Sequence, residues 1–139
     1  MTDKKAKLES KAKKFIKQEY VIWLTTIGSN LAPQPRPVWF IWDQDSFLIF
    51  SQPGAHKLKH IKQYPNVSLH FNSDKTADED VIVYGGIAKI DTNSLPAHKV
   101  LVYLKKYKAG IEALGATPEQ FSQEYSVAIR VTPTSVRGW

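Results

Sequence analysis

Apolar residues near the start of the chain repeat at the spacing of one helix face. Asp3 lies just before them and is expected to cap a helix that runs to about Gln18. The amphipathic pattern predicts that this helix packs one stripe against the rest of the protein. The members of the stripe are Leu8, Ala12, Phe15 and Ile16.

Most of the remaining chain consists of short runs of β-branched and aromatic residues, which are separated by turn residues. The first three runs follow one another through short turns, which is typical of antiparallel strands rather than of a βαβ sheet. Three stretches with helical patterns interrupt or follow the strands. Strands are predicted over 20–27, 34–42, 47–51, 67–71, 81–90, 125–131 and 134–139, and helices over 55–63, 95–109 and 117–124.

This order of elements predicts a mainly β protein of the α+β class, an antiparallel barrel with flanking helices in a single domain over residues 1–139. Pro37 cannot donate a hydrogen bond to a neighbouring strand, so its strand is expected at an edge, a bulge or an opening of the barrel. Gly85 and Gly86 lie inside the predicted strand 81–90 and indicate a bulge or a close approach by another group.

Composition narrows the possible chemistry. The chain has no cysteine, which excludes disulfides, thiolate metal sites and a cysteine nucleophile. Its longest apolar run, Val38–Trp42, is far too short to cross a membrane, and no signal peptide is visible. We therefore expect a cytoplasmic protein that makes no use of a membrane.

The net charge of +6 is concentrated at one end, because residues 1–17 contain seven lysines and only two carboxylates. These lysines form either a solvated helix face or a site for a polyanion. Phe15 is the only aromatic residue among them, whereas binding of single-stranded nucleic acid favours several. Nucleic acid is therefore not the expected partner.

The stretch 36–57 carries the clearest candidate chemistry. His56 and Lys57 fall in the first turn of a predicted helix, where a lysine is unfavourable unless an anion lies between it and the unpaired N–H groups. Arg36 can bind a phosphate through two parallel hydrogen bonds, and Ser51 can add a hydroxyl donor. The pattern indicates a phosphate cradle, unless Arg36 and Lys57 are unrelated surface charges.

Other candidate groups are less informative. His56 and His60 share a helix face, but no third ligand accompanies them, so no metal site is expected. The chain has no obvious catalytic triad, which is less surprising if a cofactor carries the chemistry. Several large aromatic residues either belong to the core or a subunit interface, or form the wall of a binding site for a flat ligand. They are Trp23, Trp39, Trp42, Tyr84 and Trp139.

An ordered set of short motifs resembles the pyridoxamine 5′-phosphate oxidase-like superfamily over residues 10–139. The motifs are Arg36-Pro37-Val38-Trp39-Phe40-Ile41, Phe50-Ser51, His56-Lys57 with Leu58 and Ile61, Tyr64-Pro65-Asn66-Val67, and Gly85-Gly86-Ile87-Ala88. The ending at 134–139 lacks the arginine–histidine substrate motif of the true oxidases, and the flavin-contacting glutamine of the family falls near Asp80 or Val81. The ending instead resembles the short branch of deazaflavin-dependent oxidoreductases.

The resemblance implies a six-stranded antiparallel split β-barrel that forms a homodimer, with FMN or the deazaflavin coenzyme F-420 at the subunit interface. It implies an oxidoreductase that transfers hydride to or from a small-molecule substrate, or a non-enzymatic module that binds a flavin or haem. Carried over by position, Arg36 and Lys57 would bind the cofactor phosphate, Ser51 would add a hydrogen bond, and His56 takes a place often held by a basic residue. Backbone groups of Pro37, Val38 and Trp39 would follow the flavin ring, and Phe50 would line the groove. The polyglutamate tail of the deazaflavin would suit the lysine-rich helix.

Overall fold

The computed structural model describes residues 2–139, with side chains from residue 4 onward. Seven strands form a single antiparallel sheet, and helices flank it. The strands are β1 (Ile22–Ile27), β2 (Pro33–Val38), β3 (Ile41–Asp43), β4 (Ser46–Ser51), β5 (Asn66–His70), β6 (Ile82–Ile90) and β7 (Val127–Gly138). The helices are α1 (Thr2–Gln18), α2 (His56–Gln63), α3 (Leu101–Ala113) and α4 (Pro118–Glu124), with a 3₁₀ turn at Ala97–Lys99.

The sheet has the strand order β2-β1-β5-β6-β7-β4-β3, so β2 and β3 lie at its two opposite edges. Only Trp39 and Phe40 connect these edge strands along the chain. The sheet must therefore curl until its edges approach each other, which produces the antiparallel half-barrel expected from the hairpin pattern. Pro37 lies in an edge strand, as its missing N–H predicted.

The number of strands differs from the expected six, because the predicted strand 34–42 is two strands. β2 pairs with β1, whereas β3 pairs with β4 at the other edge. Two side chains of α3 form hydrogen bonds with the backbone of Phe40, which lies between the two strands. The Tyr107 hydroxyl accepts from the Phe40 N–H at 2.7 Å, and Lys106 Nζ donates to the Phe40 carbonyl at 3.0 Å.

Two other boundaries required correction. The expected pieces 125–131 and 134–139 are one strand, β7, because its pairing with β6 continues past a register shift between Gly85 and Gly86, where Thr134 of β7 has no partner. The expected helix 95–109 is the 3₁₀ turn followed by α3, with Val100 in an extended conformation between them. α1 begins at Thr2, and the capping expected of Asp3 falls on a side chain that lies outside the described ones.

Two separate hydrophobic clusters fill the structure. The larger lies inside the curled sheet, where Leu58 and Ile61 of α2 join it and the apolar stripe of α1 packs as predicted. The second lies on the outer face of β4 and β7, under α3 and α4, and is rich in aromatic residues. The crossover at Trp39 lies where the two clusters meet, since Phe40 belongs to the first and Trp39 packs against the second.

The alternation of hydrogen bonds along β2 decides which side chains face inward. The Gly28 N–H donates to the Ala32 carbonyl at 2.9 Å, and hydrogen-bonded pairs alternate along an antiparallel ladder. Every second residue after Ala32 therefore bonds to β1, namely Gln34, Arg36 and Val38. Their partners across the ladder, Thr26, Leu24 and Ile22, are all buried, so these β2 side chains share the inner face of the sheet. The prolines at 33, 35 and 37 fall at the alternate positions.

Candidate functional site

Two adjoining cavities lie where the half-barrel is open, beside the crossover from β2 to β3. The first has a volume of about 600 Å³ and is lined mostly by residues with polar side chains, and the second has a volume of about 250 Å³ and is lined mostly by aromatic residues. Pro37 and Lys57 line both. The first cavity is lined by Thr26, Gly28, Ser29, Asn30, Gln34, Arg36, Pro37, Ala55, His56, Lys57 and His60.

Arg36 and Lys57 place two positive charges at the first cavity. Arg36 is exposed on the inner face of the edge strand β2, and Lys57 is partly buried in the first turn of α2. Burial, followed by repulsion from Arg36, lowers the pKa of Lys57 below its usual value. Among the described side chains neither residue forms an ion pair with a carboxylate. The pair is therefore an uncompensated positive site, which an anion would stabilise.

The N-terminus of α2 adds backbone donors to the same place. Its N-cap residue is Ala55, which has no side-chain group to accept from the first-turn N–H groups. The first turn contains His56 and Lys57 and no acidic residue, so nothing on the helix itself balances the positive end of the helix dipole. Such a terminus attracts anions.

Ser51 is not on the wall of this cavity. It is the last residue of β4, is buried, and donates from its hydroxyl to the Gln52 carbonyl at 3.0 Å. The structure thus brings Arg36, His56 and Lys57 to one cavity, and Ser51 belongs to neither of the two linings. Its contact with a cofactor stays a prediction.

The predicted groove residues meet at the second cavity. Pro37, Val38, Trp39 and Phe50 line it together with aromatic side chains from α3 and the α4 region. The Trp39 indole stacks on the Tyr107 ring at 4.6 Å between centroids and on the Phe121 ring at 5.6 Å. The lining residues that the sequence did not single out are Tyr103, Leu114, Phe121 and Tyr125.

The other large aromatic residues have different environments. Tyr84 belongs to the inner core, whereas Trp42 and Trp139 expose 39% and 60% of their surface. The Trp23 ring stacks on His70 at 6.1 Å. None of these four lines either of the two cavities, so Trp39 is the one tryptophan that both the sequence and the structure associate with the candidate site.

Sequence reasoning missed the deeper polar part of the first cavity. His60 Nδ1 lies 2.9 Å from Thr26 Oγ1, and Gln34 stands opposite Thr26 on the ladder. Two features of the sequence could have pointed to these residues: the hairpin that pairs β1 with β2, and the shared helix face of His56 and His60. His60 bonds to a hydroxyl, and no group of three potential metal ligands occurs in the described part of the chain.

The lysines of α1 lie away from both cavities. None of them is among the lining residues, and Lys11 instead bonds to the Trp139 carbonyl at 3.3 Å and lies 3.5 Å from an Asp80 carboxylate oxygen. The lysine-rich face and the cationic cavity are therefore separate surfaces. No helix of residues 2–139 is long and apolar enough to cross a membrane.

A curled antiparallel half-barrel with flanking helices and a cationic cleft at its opening defines a split-barrel protein. Within that class, the chain belongs to the pyridoxamine 5′-phosphate oxidase family, whose model matches residues 8–139. No curated protein compared with the chain matches it.

Solved structures with the same fold are distant in sequence. A conserved hypothetical protein from Mycobacterium tuberculosis has 19% identity and a TM-score of 0.75, over 94% of this chain and 83% of the other. A protein named as an F420 reductase has 20% identity and a TM-score of 0.65, over 90% of this chain and 94% of the other. The haem storage protein HutZ from Vibrio cholerae has 17% identity and a TM-score of 0.65, over 94% of both chains.

Proposed function

We propose that this protein binds a flavin-type cofactor, FMN or the deazaflavin coenzyme F-420, and uses it to transfer hydride to or from a small-molecule substrate. One observation carries the proposal. Arg36 and Lys57 form an uncompensated positive pair at the uncapped N-terminus of α2, on the wall of a cavity of about 600 Å³. A phosphate would supply the missing negative charge and accept from the free donors.

The residues present fit such a cofactor. Arg36 would hold the phosphate through two parallel hydrogen bonds, and Lys57 would add a charged hydrogen bond. His56 and the first-turn N–H groups would complete the cradle. The bound ring system would supply the hydride chemistry, and the chain would supply position and a partly dry pocket.

The backbone of Pro37, Val38 and Trp39 leads from the cradle into the aromatic second cavity, where Phe50 forms part of the wall. A planar ring needs such a continuous apolar surface beside its polar anchor. The two adjoining cavities thus match the two chemical halves of a flavin cofactor. The F-420 reductase with the same fold supports this proposal.

We also propose that two copies of the chain form the working unit, with the cofactor between them. Leu114 lines the second cavity and yet exposes 59% of its surface, and the cavities are open to solvent. A second subunit over this opening would exclude water from the ring. Sedimentation equilibrium with and without cofactor measures this, and a monomer in both conditions would contradict it.

The phosphate assignment is tested by titration of apo-protein with FMN and with F-420, followed by fluorescence. Lys57→Ala should weaken binding of the preferred cofactor by about 1.5–3 kcal/mol, the typical loss for one charged hydrogen bond. Lys59→Ala on the same helix is the matched control, because Lys59 is exposed and lines neither cavity. Equal affinities for the two variants would show that the phosphate does not bind at Lys57.

A non-enzymatic module that binds a flavin or haem is the second candidate, and the haem storage protein with the same fold supports it. It predicts a tightly bound ligand that no hydride donor reduces. Anaerobic mixing of the loaded protein with reduced nicotinamide or a reduced deazaflavin, followed by absorbance, separates the two. Reduction favours the enzyme, and an unchanged spectrum favours the binding module.

A further inference from the structure

We propose that Gly110 of α3 is a positioning residue for the second cavity, because the absence of a side chain there lets Trp39 lie against α3 and leaves the cavity open. The proposal rests on the proposed function, since it assumes that the ring of the cofactor binds in the second cavity. It goes further by assigning the width of that cavity to a residue that lines neither of the two cavities.

The backbone at Gly110 does not require a glycine. Gly110 lies inside α3 and has the conformation of an ordinary helix residue, whereas Gly115, just after the helix, has a φ angle of 75°. Glycine is clearly less favourable than alanine in a helix interior, because it loses more backbone entropy when it is ordered. The reason for a glycine at this position must therefore lie in what surrounds it.

The Trp39 indole occupies the space that a side chain at position 110 would need. A Cβ atom there would lie 2.9 Å from Trp39 Cη2 and 3.1 Å from Trp39 Cζ2. Carbon atoms pack at about 3.5–4.0 Å, so this contact is possible only with glycine. The same indole stacks on the Tyr107 and Phe121 rings, with interplanar angles of 4° and 17°. Trp39 is thus packed closely on the side of α3.

α3 is fixed to the chain directly beside this contact. The Tyr107 hydroxyl accepts from the Phe40 N–H at 2.7 Å, and Lys106 Nζ donates to the Phe40 carbonyl at 3.0 Å. Lys106 and Tyr107 precede Gly110 by about one helical turn, and Phe40 directly follows Trp39. A side chain at position 110 would therefore displace the indole rather than the helix.

The displaced indole would move into the second cavity. Trp39 is partly exposed and lines that cavity, whereas Tyr107 and Gly110 already contact it closely. The cavity has a volume of about 250 Å³, so a shift of the indole would remove much of the space for a planar ring. Gly110 thus controls the space for the cofactor ring without contacting the ring itself.

The test is a double-mutant cycle on the full chain, with FMN or F-420 as the probe, whichever the wild type binds more tightly. Gly110→Ala should weaken binding of the probe about tenfold or more, as overpacking of a well-packed contact does. In the Trp39→Leu background the same substitution should change affinity less than about twofold, because no indole remains to be displaced. Inorganic phosphate, which needs only the cradle, should bind wild type and Gly110→Ala equally in a calorimetric titration. Ala109→Ser is the matched control, because it adds one atom at an exposed position of α3 that lines neither cavity.

Equal affinities of wild type and Gly110→Ala for the cofactor would overturn the positioning role while leaving the proposed function intact. A loss that persists in the Trp39→Leu background, or an equal loss of inorganic phosphate, would also overturn it. If the folded wild type binds neither cofactor, the proposed function falls and this proposal falls with it. Thermal unfolding of Gly110→Ala near the wild-type temperature ensures that loss of binding is not loss of fold. If Gly110→Ala does not fold, recovery of the fold in the double variant would support the indole contact, and no recovery would overturn it.

Discussion

Lys106 shows how one residue of α3 holds the crossover between the edge strands. Its ammonium group lies 3.8 Å from the centroid of the Phe40 ring and donates to the Phe40 carbonyl. Burial lowers the pKa of Lys106 to about 8, and the charge of Glu19 opposes this shift. Contacts with the Phe40 ring face and carbonyl oxygen therefore replace part of the hydration of this ammonium group.

The pKa of Lys106 predicts a pH dependence of stability. An unfolded lysine keeps its proton up to about pH 10.4, so between pH 8 and that value the unfolded state binds more protons than the folded state. The contribution of Lys106 to the free energy of unfolding should therefore rise with pH over this window. Urea unfolding of wild type and Lys106→Met at pH 7, 8 and 9 measures it. A constant difference between the two proteins would contradict the lowered pKa.

Tyr84 has a buried hydroxyl group without a hydrogen-bond partner among the described residues. The residue belongs to the inner core, and burial raises the pKa of Tyr84 to about 12. An unpaired buried polar group costs about 1–3 kcal/mol. Tyr84→Phe should therefore raise the free energy of unfolding or leave it unchanged. Loss of more than about 1 kcal/mol in a urea titration would show that the hydroxyl has a partner such as a bound water.

At the scale of elements, α2 was predictable and the end of β2 was not. Pro53-Gly54 breaks the chain before α2, and its apolar residues Leu58 and Ile61 are buried as the periodicity predicted. Val38–Trp42 is an unbroken apolar run, which local pattern assigns to one strand. The division between β2 and β3 is made by Tyr107 and Lys106, which lie more than sixty residues away along the chain.

The missing cap of α2 predicts a conflict between helix stability and cofactor binding. Ala55 has an extended conformation suited to an N-cap, and replacing alanine by serine or aspartate there adds about 1 kcal/mol of stability. Ala55→Ser and Ala55→Asp should both raise the free energy of unfolding. Ala55→Asp alone should lower cofactor affinity, because its carboxylate would occupy the anion site and repel the phosphate. Unchanged affinity in Ala55→Asp would place the anion elsewhere.

At the scale of the whole molecule, the sequence predicted the class and the antiparallel arrangement, because hairpin turns and alternation are local signals. The cationic part of the site was predictable for the same reason, since Arg36 and the first turn of α2 carry distinctive residue types. Thr26, Gln34 and His60 were not predictable, because ordinary polar residues acquire a site only when the ladder and α2 bring them together. The division of the core into two hydrophobic clusters was not predictable either, because it depends on which face of the sheet α3 and α4 cover.

The prolines of β2 have a consequence for how copies of this protein behave at high concentration. Because Pro33, Pro35 and Pro37 occupy the positions that do not bond to β1, the free edge of the sheet presents carbonyl oxygens without N–H donors. An incoming strand could complete only half of a ladder there, so the edge is protected against amyloid-like growth.

Restoring one donor should weaken this protection. Pro35→Val adds an N–H and a residue that favours strands, and it should increase concentration-dependent light scattering on incubation. Thr134→Val is the matched control, because it adds an exposed apolar group on an inner strand without a new edge donor. Equal scattering of the two variants would mean that β2 is shielded by something other than its prolines. The three prolines of β2, one of which also lines the candidate site, would then have no part in keeping the protein dispersed.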